Sequence, residues 1–236
     1  MVERIARIAH HAQRALLDLL FPPRCVTCRR VGEWFCVSCR AAVEKIQPPF
    51  CERCGRLLPQ RECIYCQKLP LHIDGIRAVA FFEGNLREAI HAFKYKACTE
   101  LAQIFGGMLS DYLSTHRLLV DAVVAVPLHA ERERARGYNQ SLLLARALAV
   151  QRQLPVWEKA LMRVRDTRPQ VELNASERRE NVRAAFAATS RVAGARVLLI
   201  DDVCTTGATM DACSVALKDH GAQSVWGLAL ARPRLE

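Results

Sequence analysis

The sequence predicts an α/β protein in which helices flank a parallel sheet, with a small cysteine-rich module before it. Over residues 73–236, short continuous runs of apolar residues alternate with stretches in which apolar residues recur at helical spacing. This alternation is typical of parallel strands joined by helices. Near the N-terminus, eight of the 11 cysteines form four Cys-x-x-Cys pairs. The chain has 236 residues, 51% of them hydrophobic, which suffices for one full domain and one small module. These values exclude a wholly disordered chain.

The first predicted element is an amphipathic helix over residues 1–22. Apolar side chains recur at helical spacing from Ile5 to Leu20, and basic residues occupy the other faces. A basic amphipathic helix can lie on a membrane or act as a transit peptide, but this one contains acidic residues and no serine. Packing against the rest of the protein is the simpler interpretation. Since no apolar run approaches the length of a bilayer span, the sequence argues against an integral membrane protein.

Residues 23–72 contain the cysteine pairs, and their spacing predicts two structural zinc sites. The pairs are Cys25/Cys28, Cys36/Cys39, Cys51/Cys54 and Cys63/Cys66. Each pair places two sulfurs on one side of a tight turn, and two such turns complete a tetrahedral zinc site. Two ribbons in series are the simplest arrangement, and interleaved pairing is the alternative that the spacing leaves open. Four thiolates fill the coordination shell, so we expect a structural rather than a catalytic zinc.

A disulfide framework is the other interpretation of these cysteines. Against it, residues 1–21 lack the apolar segment of a signal peptide, and three lone cysteines lie elsewhere, Cys98, Cys204 and Cys213. This pattern indicates metal binding in a reducing compartment, and we expect a cytoplasmic protein. The net charge of +10 suggests phosphate or nucleic-acid ligands. However, eight thiolates and two zinc ions together carry a charge of −4, which leaves about +6 and makes the charge weak evidence.

Residues 73–236 are expected to form the α/β domain. The apolar runs predict strands over 76–82, 121–128, 196–200 and 224–230. The spacing of apolar residues predicts helices over 86–95, 101–113 and 140–151, and a last helix that ends near residue 218. A polar stretch over 163–183, with six arginines and four acids, interrupts this order. The alternation of strand and helix predicts right-handed βαβ units.

The segment after the strand over 196–200 carries the clearest chemistry. It begins with Asp201 and Asp202, and continues into Thr205, Thr206, Gly207, Ala208 and Thr209 at the start of a helix. Small residues let backbone N–H groups close around an anion, and a helix N-terminus adds partial positive charge. The two carboxylates can accept hydrogen bonds from sugar hydroxyls, with a cation nearby to offset their charge. Together these features predict a site for a ribose 5-phosphate.

This segment resembles the phosphoribosyl diphosphate (PRPP) motif of the type I phosphoribosyltransferases. The resemblance implies a phosphoribosyltransferase-like parallel sheet, with Asp201 and Asp202 on the ribose hydroxyls and residues 205–209 around the 5-phosphate. It also implies that Pro127, Leu128 and His129, at the end of an earlier strand, form the loop that binds pyrophosphate. Mg²⁺ would accompany PRPP, and the polar stretch over 163–183 lies where related transferases have a mobile lid.

Three further segments resemble the ComF family. They are Val126 to His129 followed by 136–141, Phe93-Lys94-Tyr95-Lys96, and Arg163-x-Arg165-x-Thr167-x-x-Gln170 with Arg178 after it. Members of that family carry a double zinc ribbon before the transferase-like domain, and this chain has the same order. The resemblance implies a role in natural transformation or in the uptake and use of external DNA, with proteins of the DNA-uptake machinery as partners. Lys94, Arg136, Arg165 and Arg178 are the candidates for phosphate or nucleic-acid contacts.

Three functions remain open on the sequence. One is Mg²⁺-dependent transfer of a phosphoribosyl group from PRPP to a nucleobase or related acceptor, with Asp201 and Asp202 as the catalytic pair. Another is a protein that handles nucleic acid, in particular single-stranded DNA, and keeps the PRPP pocket. The third is a docking subunit whose ribbons hold a protein partner. The sequence favours a ComF-type protein with a PRPP-binding domain that acts on external DNA.

Overall fold

A computed structural model describes residues 22–58, 62–165 and 185–234. Almost all of the predicted N-terminal helix therefore lies outside the described residues. The same is true of most of the polar stretch over 163–183, including Arg178. In the part of the chain that is described, no helix is long and apolar enough to cross a membrane.

Four parallel strands form the central sheet, as the alternating pattern predicts. The strands of the chain are β1 (Gly75–Phe81), β2 (Ala122–Ala125), β3 (Leu161–Arg163), β4 (Phe186–Ala188), β5 (Arg196–Val203) and β6 (Ser224–Arg232). The sheet has the order β1-β6-β5-β2, and every neighbouring pair is parallel. Strands β3 and β4 pair with each other as a small antiparallel unit.

Helices cover both faces of the sheet. They are α1 (Val37–Ala41), α2 (Ile64–Lys68), α3 (Gly84–Tyr95), α4 (Leu101–Thr115), α5 (Ala130–Arg136), α6 (Gln140–Arg152) and α7 (Ala208–Asp219). Along β5, Leu198 and Ile200 belong to the apolar core that contains α3, α4 and α6, whereas Val197 and Leu199 belong to the core that contains α7. Because successive side chains of a strand point to opposite faces, a sheet covered on both sides needs the continuous apolar runs seen in the sequence.

Two strands end three residues away from the predicted position, and both ends border the candidate site. The strand expected over 121–128 ends at Ala125, since Pro127 has no N–H with which to continue the ladder. The strand expected to end at residue 200 continues to Val203, because Asp201 and Val203 pair with residues of β6. The two acids therefore belong to the strand rather than to the loop after it. The short helix α5 and the β3–β4 pair were not predicted.

The cysteine module packs along the edge of the sheet at β1. Lys45 and Ala80 form an antiparallel bridge, and the amide of Ile46 donates to the carbonyl of Val79 at 3.1 Å. Cysteines 25, 36 and 39 belong to the core on the α3–α4 face, whereas Cys51 and Cys54 belong to the core on the α7 face. The two halves of the module thus lie against opposite faces of the sheet.

Candidate functional site

A cavity of about 240 Å³ lies beyond the carboxyl ends of β2 and β5. Its wall is formed by residues 126–128 after β2, by residues 201–210 after and within β5, and by five side chains from other elements, Lys94, Arg132, Gln140, Ser141 and Arg163. Ligands of open α/β sheets bind at this edge, where parallel strands end and helices begin. The structure therefore brings the acid pair, the threonine-rich loop and the Pro127–Leu128 turn to one place.

The loop between β5 and α7 is shaped by Gly207 and Thr206. Gly207 has a φ of 85°, which favours glycine, and an added Cβ would lie 2.7 Å from Cδ1 of Ile76. Thr206 is buried, and its Oγ1 accepts a hydrogen bond from the amide of Ala208 at 3.3 Å. The N-terminus of α7, a 12-residue helix, thus forms part of the cavity wall, and its dipole places positive potential there.

Asp201 and Asp202 have different surroundings although they are adjacent. Oδ1 of Asp201 accepts hydrogen bonds from Oγ of Ser141 at 2.8 Å and from the amide of Asp202 at 2.9 Å. Asp202 is only 2% exposed, and its Oδ1 accepts from the amide of Val203 at 2.7 Å. Its Oδ2 lies 2.8 Å from Nζ of Lys94, so the two side chains form an ion pair. Asp201 is therefore the more accessible of the two acids.

The pKa of Asp201 is raised to about 7, chiefly by burial and then by the negative charge of Asp202. The hydrogen bond from Ser141 and the ammonium of Lys94 act in the opposite direction. A carboxyl group in this position changes its protonation state near neutral pH. Strongly shifted acids in a cleft are common at functional sites, because the same burial and charge pairing that shift the pKa also serve ligand binding and catalysis.

The turn after β2 contributes two of its three predicted residues to the wall. Pro127 and Leu128 line the cavity. His129 is the N-cap of α5, and its Nδ1 accepts a hydrogen bond from the amide of Glu131 at 3.2 Å. In the first turn of that helix, Arg132 reaches the cavity. Arg132 was not predicted as a site residue, because acids alternate with arginines over 131–136 and that pattern is typical of a solvated face.

The four basic candidates lie in different places. Lys94 lies in the cavity wall against Asp202. Arg136 lies outside the wall, where it donates to Oε1 of Gln140 and stacks over the ring of Tyr95 at 5.5 Å. Arg165 is exposed just beyond β3. Arg178 lies outside the described residues.

Sequence analysis also missed Ser141, Gln140 and Arg163 as cavity residues. Ser141 and Gln140 occupy the first turn of α6, whose N-cap is Asn139 with Oδ1 accepting from the amides of Ser141 and Leu142. The segment over 136–141 resembles a family motif, but the resemblance does not place it in space. Only the packing of α6 on β5 shows that the first turn of α6 reaches Asp201. Arg163 ends the unpredicted strand β3 and lies over the ring of Phe186 at 5.6 Å.

The eight cysteines form two four-residue clusters in series, which excludes interleaved pairing. The first cluster is Cys25, Cys28, Cys36 and Cys39, and the second cluster is Cys51, Cys54, Cys63 and Cys66. Within each cluster all four sulfurs lie within 4.8 Å of one another. Neighbouring sulfurs are 3.6 Å apart for Cys28 and Cys36, 3.7 Å for Cys51 and Cys66, and 3.6 Å for Cys54 and Cys63. A tetrahedron with Zn–S bonds of about 2.3 Å has edges of about 3.8 Å, so both clusters fit a zinc ion.

The chemistry of the clusters agrees with this geometry. Burial raises the pKa of Cys39 to about 12 and that of Cys54 to about 11. Four crowded sulfurs therefore cannot all ionise unless a cation compensates their charge, and a divalent ion that prefers thiolates supplies that compensation. All four positions of each tetrahedron are filled by protein, which is the pattern of a structural site.

Comparison with known proteins agrees with the two parts of the structure. Residues 16–70 match the model of the double zinc ribbon domain, and residues 139–233 match the model of the phosphoribosyl transferase domain. Competence protein F of Haemophilus influenzae is 31% identical over 224 residues, which cover 88% of this chain and 97% of that protein. The DNA utilization protein YhgH of Escherichia coli strain K12 is 30% identical over 226 residues, which cover 91% of this chain and 99% of that protein.

A third relative has nearly the same identity to this chain. Competence protein ComFC of Bacillus subtilis is 29% identical over 214 residues, which cover 85% of each chain. The similarity to these relatives runs through both the cysteine clusters and the α/β domain. The chain therefore belongs to the ComF family, in which a double zinc ribbon precedes a phosphoribosyltransferase domain, and is a homologue of the competence protein F and DNA utilization proteins.

Proposed function

We propose that the cavity binds a ribose 5-phosphate ligand, with PRPP as its principal form, and that the protein uses this site in the uptake or utilisation of external DNA. One observation carries the ligand proposal. An acid pair, a helix start rich in threonine and glycine, and three cationic side chains converge on one cavity at the carboxyl edge of the sheet. The acids suit sugar hydroxyls, and the helix start and the cations suit phosphates.

Each part of the ligand is assigned to a different part of the cavity wall. The 5-phosphate would lie at residues 205–209, where the N-terminus of α7 favours an anion. Asp201 would accept hydrogen bonds from the ribose hydroxyls. The diphosphate would lie against the Pro127–Leu128 turn, with His129 fixing the start of α5 and with Arg132 and Arg163 nearby as positive charges. The roles of these residues agree with those that the family resemblance implies.

Asp202 needs a rearrangement before it can bind ribose, because its Oδ2 is paired with Lys94. We infer that Lys94 leaves Asp202 when the diphosphate arrives and that Asp202 then accepts from a ribose hydroxyl. After the exchange Lys94 is paired with a phosphate and Asp202 is hydrogen-bonded to a hydroxyl, so neither buried charged group is left without a partner. Mg²⁺ prefers one or two carboxylates together with substrate phosphates, so Asp201 and Asp202 are the residues that would hold it with the diphosphate, and it would supply positive charge against that group.

A transferase reaction at this site is the second candidate function, and the shifted Asp201 favours it. In that reaction the bond between C1 of the ribose and the diphosphate breaks, and the electron pair leaves with the diphosphate. A lone pair of an acceptor nitrogen forms the new bond, and the proton that this nitrogen loses passes to water. Lys94, Arg132 and Arg163 would stabilise the charge on the leaving diphosphate. A panel of nucleobases incubated with PRPP and Mg²⁺ tests this function, and release of diphosphate with any of them supports it.

The role in DNA uptake or utilisation rests on the relatives and on charge. Two of the relatives carry names that refer to competence and a third is a DNA utilization protein, and this chain has an excess of basic residues. Direct binding of single-stranded DNA, with Arg136 and Arg165 among its contacts, would make the affinity fall with salt by about 0.7 decade per decade for each phosphate neutralised. Fluorescence anisotropy of a labelled oligonucleotide between 50 and 300 mM salt measures this slope. An affinity independent of salt would exclude such contacts.

Isothermal titration calorimetry with PRPP and Mg²⁺ tests the ligand proposal directly. We expect binding to the wild type, and loss of binding in the double variant Asp201→Asn/Asp202→Asn with two zinc ions per chain retained. Asp121→Asn is the matched control, since Asp121 pairs with Arg196 near the opposite end of the same sheet. Wild-type protein that gives no binding heat with millimolar PRPP and Mg²⁺ would show that the cavity does not have this function.

A further inference from the structure

The second cluster lies directly behind the loop of the candidate site. We define this loop as residues 204–209, between β5 and α7. The cluster and the loop are far apart in sequence, but three sets of contacts join them. The contacts run through Arg232, Tyr65 and Ile76, none of which coordinates the metal or lines the cavity.

Arg232 bridges the cluster and the loop with one guanidinium group. It is the last residue of β6 and is only 3% exposed. One of its terminal nitrogens donates to the carbonyl of Cys54 at 2.6 Å, and the other donates to the carbonyl of Thr205 at 3.4 Å. A buried guanidinium whose acceptors move away leaves a charged donor unpaired, which is costly. The positions of Cys54 and Thr205 are therefore linked.

Tyr65 makes the second connection, from the helix that contains Cys66 and begins after Cys63. It lies on α2 between Cys63 and Cys66, and its hydroxyl donates to the carbonyl of Thr206 at 3.2 Å. The guanidinium of Arg56 lies over the Tyr65 ring, 3.3 Å from its centre, and this cation–π contact stabilises the position of the ring. A helix of five residues closed by metal ligands has little stability of its own, so the position of Tyr65 depends on the cluster.

Ile76 fills the space between the same two regions. Its amide donates to the carbonyl of Arg53 at 2.8 Å, and a Cβ at Gly55 would clash with its carbonyl oxygen. On the other side, its Cδ1 lies so near Gly207 that a Cβ there would be 2.7 Å away. Ile76 of β1 therefore contacts the second cluster at Gly55 and the loop at Gly207, and neither position has room for a side chain.

The first cluster has the same composition but meets different elements. The side-chain amide of Asn85 donates to the carbonyl of Cys39 at 3.2 Å, in the first turn of α3. Phe35 packs edge-on against Phe105 of α4 with ring centroids 6.3 Å apart. These contacts stabilise the α3–α4 face of the sheet, which makes Asn85 a matched control for the contacts of the second cluster.

We propose that Tyr65 and Arg232 are positioning residues that couple the second cluster to the loop, so that zinc binding at this cluster and ribose 5-phosphate binding in the cavity strengthen each other. The coupling rests on the proposed function of the cavity. Zinc holds α2 and Cys54 in place, these hold the carbonyls of Thr206 and Thr205, and the loop amides are then presented to the phosphate. By thermodynamic linkage, the ligand must raise the zinc affinity by the same factor by which zinc raises the ligand affinity.

The first experiment measures ribose 5-phosphate affinity by calorimetry in the wild type and in single variants with two zinc ions per chain. Tyr65→Phe removes one hydrogen bond and keeps the ring, so we expect an affinity about threefold to tenfold weaker. Arg232→Met should weaken the affinity more strongly. If Arg232→Met does not fold, Tyr65→Phe alone still tests the proposal. Asn85→Ala removes the corresponding contact of the first cluster and should leave the affinity unchanged.

The second experiment measures zinc affinity by competition with a chelator of known affinity, with and without saturating ribose 5-phosphate. We expect the ligand to raise the affinity of one of the two sites by about tenfold, and to raise it less in Tyr65→Phe. A purely structural role of Tyr65 would not produce this reciprocal effect.

The outcomes separate the two proposals. Wild-type protein that binds ribose 5-phosphate, with unchanged affinity in Tyr65→Phe and equal zinc affinities with and without ligand, would overturn the coupling and leave the proposed function intact. Wild-type protein that binds neither ribose 5-phosphate nor PRPP with Mg²⁺ would overturn both, and for a protein that binds PRPP alone the same two experiments are made with PRPP as the probe.

Discussion

The cysteine clusters and the cavity both concentrate negative charge, but they compensate it in opposite ways. In each cluster four sulfurs lie within 4.8 Å of one another, and the residues that hold them are close in sequence. In the cavity, Asp202 is paired with Lys94 and Asp201 is hydrogen-bonded to Ser141, and these partners come from distant helices. The clusters therefore need a bound cation, whereas the cavity is compensated by side chains of the folded protein.

This difference has a consequence for each region. A closed shell of thiolates is part of the fold, so removing its metal should cost structure. A carboxylate paired with a lysine at a cavity can exchange that lysine for another partner, so changing it should alter affinity and pH dependence while the fold remains. The following changes test this contrast, beginning with the largest expected effect.

Loss of one zinc site should destabilise the protein more than any change in the cavity. Cys54→Ser removes a ligand of the second cluster, and we expect one zinc ion per chain instead of two. Because zinc binding contributes on the order of 10 kcal/mol to the folding of small ribbons, the melting temperature should fall by at least about 10 °C. Metal analysis and thermal unfolding followed by circular dichroism measure both effects.

Cys213→Ala is the control for this experiment. Cys213 is equally buried but lies outside both clusters, on α7. Two zinc ions and a change of only a few degrees are expected, since the substitution removes a single sulfur from the core. A Cys54→Ser protein that melts like this control would contradict the view that the cluster is part of the fold.

Breaking the ion pair of Lys94 and Asp202 should have the next largest effect. Lys94→Met leaves the Asp202 carboxylate buried without its partner, and we expect a loss of about 3 kcal/mol in the free energy of unfolding. The double variant Lys94→Met/Asp202→Asn should recover part of that loss, because no unpaired charge remains. Urea unfolding of the two single variants and the double variant gives the coupling energy. Strictly additive effects would show that the pair makes no net interaction.

The same contrast explains which parts of the molecule could be predicted from the sequence. The cysteine clusters depend on short spacings, so both clusters and their eight cysteines were predicted, and the structure confirmed the pairing in series over the interleaved alternative. The sheet was predicted because burial on both faces requires long apolar runs. The end of β5 was predicted too early, since an acid pair interrupts hydropathy but can still form ladder hydrogen bonds with β6.

The cavity could be predicted only in part. Residues 201–209 are contiguous, so the sequence alone predicted a loop that binds a phosphate. The Lys94–Asp202 pair joins positions 108 residues apart, and the Ser141–Asp201 hydrogen bond joins positions 60 apart. No local pattern encodes such contacts, because they depend on how α3 and α6 pack against the sheet. Arg132 was not predicted for a similar reason. Arginines that alternate with acids look the same in the sequence whether they face solvent or a cavity.

Asp201 provides the smallest and most specific test of the contrast. Its pKa in the folded protein is about 7, because the surrounding protein desolvates it and Asp202 lies beside it, with Lys94 opposing the shift, whereas an unfolded chain has a value of about 3.9. The folded state thus binds the proton more tightly, and the associated stability is lost as the pH rises through 7. Asp201→Asn cannot ionise, so its unfolding free energy relative to the wild type should rise by about 1 kcal/mol between pH 6 and pH 8.

Asp121→Asn is the control, because hydrogen bonds from Arg196 lower the pKa of Asp121 to about 2 and its charge is constant over this range. Its effect on stability should therefore be equal at the two pH values. Urea unfolding at pH 6 and pH 8, where the thiolate clusters keep their metal, measures both variants. If the Asp201→Asn difference were also independent of pH, the carboxyl group would already be ionised at pH 6. The cavity would then compensate both acids fully, and the exchange of partners that we propose for ligand binding would have to start from two charged carboxylates.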